Sequence, residues 1–191
     1  MTDTRRAVLD AAVELIAREG HAALSFREVA RRAGVSHQAP YHHFGDREGI
    51  LAAIAEEGFR GLAEALEPTE AQAALPSLEA SGLAYVRWAL AHPGHYRTLF
   101  RPDLARPKDH AGLQREASRA YRHVEGLVVR LQGAGYATWR DPGVLVALIW
   151  STVHGAVSLA LDGPLPAGSD GDRLCAAVVR SLAELVGKDR R

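Results

Sequence analysis

Apolar residues recur at helical spacing along almost the whole chain, and this periodicity limits the fold more than any other feature. In the first 20 residues, for example, Val8, Ala12, Leu15 and Ile16 fall on one face of a helix, and Gly20 follows at a position that favours a left-handed cap. No segment alternates strictly between apolar and polar residues in the manner of a half-exposed strand. The sequence therefore predicts an all-α protein of about nine helices.

Helix-capping residues predict two short helices in succession near the N-terminus. Ser25 stands three residues before Glu28, so its hydroxyl can accept from the Glu28 amide while the Glu28 carboxylate reaches back, as in a reciprocal capping box. The helix that begins at Phe26 is expected to end at about Ala33, because Gly34 favours a left-handed stop.

A second short helix is predicted over about His37 to Phe44, with Ser36 as its N-cap and Gly45 at its end. Two short helices joined by a glycine turn are typical of a helix-turn-helix motif, here about residues 25–44, whose second helix enters the major groove of DNA. Asp46 is the predicted N-cap of the longer helix that follows.

The charge of the whole chain does not identify a partner, because 23 basic residues balance 23 acidic ones. The charge of the motif is more informative. Between Ser25 and Arg47 there are four arginines against Glu28 and Asp46, and three histidines lie on the second short helix. This local excess of positive charge favours contact with phosphates.

The motif has a specific residue pattern. It reads Ser25-Phe26-Arg27-Glu28-Val29-Ala30, then Ala33-Gly34-Val35-Ser36, then Tyr41-His42-His43-Phe44, and finally Arg47-Glu48 and Ile50-Leu51. Over about residues 4–60 the chain resembles the DNA-binding domain of the TetR family. The resemblance implies a dimeric, ligand-responsive transcriptional repressor in which the serine and tyrosine matched by Ser25 and Tyr41 hold phosphates.

The chain departs from the family pattern at Pro40, where an aliphatic residue is commoner. Proline lacks an amide donor and disfavours helix at Ala39, so a late start of the second helix is expected. A zinc site at His42 and His43 is rejected, because neighbouring helical residues point about 100° apart. Groove edges are assigned to His37, Gln38, Ala39 and His42, phosphates to His43 and Arg47, and further DNA contacts to Arg27 and Ser36. The phosphate roles of Ser25 and Tyr41 are implied by the resemblance, and the alternatives are helix capping alone for Ser25 and packing for the Tyr41 ring.

A change in composition over Glu64 to Ala80, which contains Pro68 and Pro76, predicts a hinge. The predicted domains are residues 1–67, which bind DNA, and residues 68–191, a helical effector-binding and dimerisation domain. Helices in the second domain are predicted over about Leu78 to His92, Ala111 to Gln132, Pro142 to Leu161 and Asp170 to Val186, with a short element through Phe100.

Aromatic residues and one histidine of the second domain are candidates for an apolar effector pocket. They are Tyr85, Trp88, Tyr96, Phe100, Tyr121, Trp150 and His154. Trp150 and His154-Gly155 resemble the Trp-His-Gly signature of one TetR C-terminal subclass, and the stretch from Trp88 to Phe100 is similar to that subclass as well. Core packing is the alternative role for each of these side chains.

The segment Val144 to Leu161 carries no charge over 18 residues, which reaches the lower limit for a membrane span. Polar residues within it, such as Ser151 and His154, favour a buried helix instead. Because the helix is apolar around most of its circumference, we expect a homodimer through the last two helices. Such a dimer would hold two recognition helices on a palindromic operator.

Catalytic signatures are absent from the sequence, with no phosphate loop, serine elbow or paired carboxylates. His92, His95 and His154 lack a carboxylate at ligand spacing, so no metal and no cofactor are expected. Cys175 is the single cysteine and Met1 to Arg6 lack the apolar core of a signal peptide, so a cytoplasmic protein is expected. Arginine outnumbers lysine 21 to 2, which is typical of GC-rich coding DNA and predicts a bacterial source. The alternative function is an all-helical small-molecule enzyme or carrier with a structural N-terminal bundle.

Overall fold

The computed structural model describes residues 4–101, 103–163 and 170–188, and these residues form nine α-helices and no strand. The all-α prediction is therefore confirmed. Expectations about residues 1–3 lie outside the described residues. The helices are α1 (Thr4–Glu19), α2 (Phe26–Ala33), α3 (Ala39–Phe44), α4 (Arg47–Leu66), α5 (Ala74–Ala91), α6 (Pro93–Leu99), α7 (Ala111–Gly133), α8 (Pro142–Asp162) and α9 (Gly171–Lys188). Short 3₁₀ turns lie at His21–Ala23, Glu67–Ala71 and Pro107–Asp109.

The chain divides into two compact units that are not contiguous in sequence. The first unit consists of Met1–Arg60 together with His92–Ala117, and the second consists of Gly61–Ala91 together with Ser118–Arg191. The boundaries between the units fall within α4 after Arg60, between α5 and α6, and within α7 after Ala117. The predicted division into functional domains between residues 67 and 68 stays a prediction.

The ends of α2 follow from Ser25 and Gly34. The Ser25 hydroxyl accepts from the Glu28 amide at 3.3 Å, and Gly34 ends the helix in the left-handed conformation with φ 64° and ψ 32°. The reciprocal half of the predicted capping box is wrong. The Glu28 carboxylate accepts instead from Arg31 and Arg32 on its own helix, because charged guanidinium donors bind a carboxylate more strongly than a backbone amide does.

Helix α3 begins at Ala39, two residues after His37, so the late start expected from Pro40 is confirmed. Its N-cap is Gln38 rather than the predicted Ser36. His37 and Gln38 form a turn in which the Ala39 amide donates to the Ser36 carbonyl at 3.0 Å. Pro40 is the second residue of the helix, where the missing amide would have no intrahelical partner. The proline thus fixes the start of the helix and leaves only six residues in it.

The remaining helices differ from the predictions mainly at their ends. Helix α5 starts at Ala74 rather than Leu78, because Pro76 lies in the first turn, where proline is tolerated. Asp46 and Asp141 act as the predicted caps, accepting from the amides of Gly49 at 2.8 Å and Val144 at 3.0 Å. Local capping chemistry therefore accounts for the starts of α4 and α8.

The core of the first unit is built on α1, which packs against α2, α3 and α6. A close approach occurs at Gly94 of α6, where a Cβ atom would lie 2.3 Å from the Val13 carbonyl oxygen of α1. Only glycine allows the two backbones to come this close. In the second unit, α9 packs against both α5 and α8.

We expect Gly94→Ala to lower the free energy of unfolding by about 1–3 kcal/mol, because the added methyl group overlaps a backbone oxygen that cannot rotate away. Gly126→Ala is the matched control. A Cβ at Gly126, inside α7, meets only the end of the Arg130 side chain at 3.7 Å, so this change should stabilise the protein by about 0.5–1 kcal/mol. Urea denaturation of both variants measures the difference, and equal effects would contradict the packing argument.

Candidate nucleic-acid interface and effector site

The residues assigned to DNA lie on an accessible surface formed by the ends of α2, the turn before α3, α3 itself and the start of α4. Ala39 and His43 are half-buried. The others are exposed, namely Ser25, Arg27, Ser36, His37, Gln38, Tyr41, His42 and Arg47. The fold therefore leaves these side chains accessible, whereas Pro40 between them is buried.

Tyr41 combines a packing role with an accessible one. Its ring meets the buried Phe26 ring edge to face, with centroids 4.7 Å apart, yet 50% of the residue is exposed. This contact joins α3 to α2, while the Arg5 guanidinium of α1 lies 5.1 Å from the centroid of Phe44 at the other end of α3. Aromatic contacts thus fix the orientation of a helix too short to be stable alone.

Ion pairs reduce the positive charge that this surface can offer. Arg31 and Arg32 both bind Glu28, and Arg32 also binds Glu19. The two guanidinium groups lower the pKa of Glu28 to about 2, so the carboxylate stays charged and holds them. Arg27 makes no ion pair or side-chain hydrogen bond among the residues that the structure describes.

Arg47, at the start of α4, makes a different contact. Its Nη2 donates to the backbone carbonyl of His21 at 2.8 Å, so its charge is not paired with a carboxylate there. Of the four arginines between residues 25 and 47, Arg27 and Arg47 thus keep a charge that no described carboxylate neutralises. These two are the arginines best suited to meet phosphates.

The candidate effector residues form pairs within the second unit. The Tyr85 hydroxyl lies 3.0 Å from His154 Nδ1, and the ring centroids of Tyr121 and Trp150 are 5.8 Å apart. Burial lowers the pKa of His154, which favours the neutral imidazole. Trp88 is buried in the same unit.

Two of the predicted effector residues belong to the first unit instead. Tyr96 is buried, and Phe100 meets Phe59 edge to face with ring centroids 5.5 Å apart. Their role toward an effector stays a prediction. The three histidines considered as metal ligands are also divided, because His92 and His95 lie in the first unit and His154 in the second. Among the described residues, no group of three histidine, cysteine or acidic side chains is placed to hold a metal ion.

A polar network in the second unit, which runs from the buried Ser81 and His123 to the exposed Glu70, was not predicted. Ser81 Oγ lies 3.0 Å from His123 Nε2, and His123 Nδ1 lies 2.8 Å from Glu70 Oε1. The series Ser81, His123 and Glu70 resembles a serine nucleophile with its base and a carboxylate. Ser81 is only 6% exposed, however, and its hydroxyl also lies 2.7 Å from Thr69 Oγ1, so the series is suited to packing rather than to attack on a substrate. The network joins α5 and α7 to the turn after α4. Ser81 and His123 occupy helical positions on a buried face, and a polar residue at such a position is the sequence signal that could have indicated the network.

An open apolar groove of about 710 Å³ lies on α8 and α9. Its lining includes Leu148 of α8 and Val178, Leu182 and Leu185 of α9, with Arg140 at its edge. Leu185 is 67% exposed and Leu148 is 40% exposed, so the expected burial of α8 is only partial within one chain. In the described part of the chain, α8 is also the one helix long and apolar enough to cross a membrane, which is weak support for a span.

Two family patterns match the chain. Residues 78–182 match the family described as "Tetracyclin repressor-like, C-terminal domain", and residues 8–54 match "Bacterial regulatory proteins, tetR family". The chain belongs to the TetR family of transcriptional regulators. The family resemblance of the motif around residues 25–51 is thereby confirmed.

Individual relatives agree with this membership of the TetR family. The chain is 30% identical over 70 residues to the uncharacterized HTH-type transcriptional regulator YvkB of Bacillus subtilis, a match covering 37% of each chain. It is 33% identical over 63 residues to the HTH-type transcriptional repressor AcnR of Corynebacterium glutamicum, covering 33% of this chain and 34% of that one. The matches thus span about a third of the length of these curated relatives.

One solved structure is similar over almost the whole TetR-family chain. It is a protein with unknown function from Rhodococcus sp. RHA1, with 31% identity and a TM-score of 0.78. The alignment covers 97% of this chain and 96% of that one. The arrangement of helices described above is therefore also found in a solved structure.

We expect the free energy of unfolding to fall as the pH is lowered from 7.5 to 5.5. Burial is the largest cause that lowers the pKa of His21, His95, His123 and His154 below the ordinary value of 6.5. Below pH 6.5 the unfolded chain then binds more protons than the folded one, so this stability is present at neutral pH and is lost on acidification. Urea denaturation at several pH values measures the trend, and constant or rising stability in this range would contradict it.

Proposed function

We propose that the protein is a homodimeric transcriptional repressor that binds a palindromic DNA operator and is released from it by a small-molecule effector. The observation that carries the proposal is the accessible surface around α3, on which Arg27 and Arg47 present charge without a carboxylate partner. The direction of regulation is supported by the name of the relative AcnR, a repressor. A cytoplasmic location is part of the same proposal.

The short α3 acts as the recognition helix. His37 and Gln38 lie in the turn at its N-terminal end, and His42 lies on its exposed surface, so these side chains reach base edges in the major groove. Gln38 pairs with adenine, and Ala39 touches a thymine methyl group. Ser25, Arg27, Ser36, Tyr41, His43 and Arg47 contact the DNA backbone around them.

The dimer forms through the apolar groove on α8 and α9. Exposed leucines at Leu148, Leu159, Leu174 and Leu185 give these two helices more apolar surface than a single chain buries. A second copy related by a two-fold axis covers this face with the same face of its own, making a four-helix interface. The dimer then presents two recognition helices to the two halves of a palindrome.

The effector binds in the C-terminal domain near the paired groups Tyr85 and His154, and Tyr121 and Trp150. A neutral histidine and a tyrosine hydroxyl among aromatic rings suit an apolar or amphipathic molecule with one polar group. Binding favours a conformer in which α4 moves and changes the spacing of the recognition helices. The effector must then bind the free dimer more tightly than the operator-bound dimer, and equal affinities would contradict this coupling.

Selection of genomic fragments tests the DNA-binding proposal directly. Purified protein is mixed with fragmented DNA of its own genome at roughly 0.15 M salt, and the bound fragments are sequenced. We expect enrichment of one palindromic motif, because each protomer of a two-fold dimer reads one half-site. The variant Gln38→Ala should relax selectivity at one position of each half-site. Uniform recovery of fragments would contradict the proposal and favour the enzyme or carrier alternative.

We expect Leu185→Arg to convert the dimer to a monomer of 20.6 kDa, because it buries an unpaired charge at the proposed interface. Val129→Arg is the matched control, since Val129 of α7 is 68% exposed, almost as much as Leu185 at 67%, and lies outside the groove. Sedimentation equilibrium gives both masses. A dimeric Leu185→Arg variant, or a monomeric Val129→Arg variant, would contradict the assigned interface.

A further inference from the structure

The backbone carbonyl of His21 lies beside the arginine that the proposed function places on a DNA phosphate. Arg47 Nη2 donates to this oxygen at 2.8 Å, although the two residues are 26 positions apart. Arg47 is the first residue of α4, and His21 opens the 3₁₀ turn between α1 and α2. The hydrogen bond therefore orients a long, flexible and exposed side chain in the absence of DNA.

The His21 ring is held in turn by α6. His21 Nε2 lies 3.1 Å from the hydroxyl of Thr98, which is almost fully buried. The Thr98 hydroxyl donates its single proton to the Gly94 carbonyl at 2.9 Å, so its oxygen accepts from His21 and the proton of the imidazole is on Nε2. Burial and the nearby Arg101 and Arg47 lower the pKa of His21, which keeps the ring neutral.

Helix α6, which carries Thr98, is held against α1 by backbone contacts. Gly94 lies against the Val13 carbonyl of α1 with no room for a side chain, and the Arg97 guanidinium donates to the Ala17 carbonyl of α1. Helix α6 is thus fixed to α1 at two points, both within one turn of Thr98. A ring bonded to Thr98 is consequently held in a defined place within the first unit.

We propose that His21 is a positioning residue for the phosphate contact, its ring fixed by Thr98 and its carbonyl fixing the Arg47 guanidinium before DNA binds. The inference rests on the proposed function, which assigns Arg47 to a phosphate. A guanidinium has five N–H donors, so one bond to His21 leaves the others for phosphate oxygens. Ordering the side chain in advance removes part of the entropy that binding would otherwise cost.

A double-mutant cycle tests the proposal. The affinity of the wild-type protein, His21→Ala, Arg47→Ala and the double variant for a fluorescent duplex of unrelated sequence is measured at a series of KCl concentrations. Arg47→Ala should lower the affinity and reduce the salt slope by about 1 for each protomer that loses its contact. His21→Ala should lower the affinity roughly 3- to 10-fold with the slope unchanged, because the charge remains while its orientation is lost.

The decisive comparison is the effect of His21→Ala on affinity in the wild-type protein and in the Arg47→Ala variant. In the Arg47→Ala background, His21→Ala should change the affinity by less than about twofold, because the group that it positions is gone. Thr98→Val, which removes the hydroxyl at similar volume, should reproduce the His21→Ala effect in the wild-type background. His21→Gln keeps an N–H donor toward Thr98 and should restore most of the affinity. Urea denaturation of each variant shows whether it is folded. If Thr98→Val does not fold, the difference in affinity between His21→Gln and His21→Ala still tests the positioning role.

Two results would overturn the proposal while leaving the proposed function intact. One is an equal loss for His21→Ala with and without Arg47, and the other is no loss at all for His21→Ala. If Arg47→Ala itself leaves both affinity and salt slope unchanged, the phosphate assignment of the proposed function fails, and the positioning role fails with it.

Discussion

The close approach of α6 to α1 at Gly94 is the constraint on which the first unit depends. With 2.3 Å between a hypothetical Cβ and the Val13 carbonyl, the two helices can pack in this way only with glycine at this position. The contact places a segment from the middle of the chain on the helix that also supports α2 and α3. Further contacts then follow along α6, from His95 to Glu57, Arg97 to Ala17, Thr98 to His21 and Leu99 to the helix at Gly58.

Local capping signals account for what could be predicted. Ser25, Gly34, Asp46 and Asp141 act on residues at most four positions away, so their effects are visible in the sequence. Two local signals predict different starts for α3: Ser36 as an N-cap predicts an early start, and Pro40 predicts a late one. The structure has the late start. The family resemblance added the function, which helix spacing alone does not specify.

Long-range partners explain what could not be predicted. Nothing within a few residues of Ser81 indicates that His123 lies beside it or that Glu70 lies beside His123, because these contacts form only when the helices pack. The same holds for Tyr85 and His154, 69 positions apart, and for the inclusion of residues 92–117 in the first unit. For Glu28 the possible partners were all close in sequence, namely the Ser25 amide and the Arg31 and Arg32 guanidinium groups. The carboxylate binds the arginines because charged donors form the stronger hydrogen bonds.

The pairing of Arg31 and Arg32 with Glu28 also affects how a regulator finds its site in a genome. Each charge that is satisfied inside the protein is one fewer that releases counterions from arbitrary DNA, so affinity for unrelated sequence falls. Contacts with base edges do not depend on those two charges. A small number of copies can then occupy an operator despite a vast excess of competing sites, because the ratio of specific to non-specific affinity governs occupancy. Glu28 of α2 thus favours selective contact with base edges over general affinity for DNA, because it removes two charges from the surface that meets phosphates.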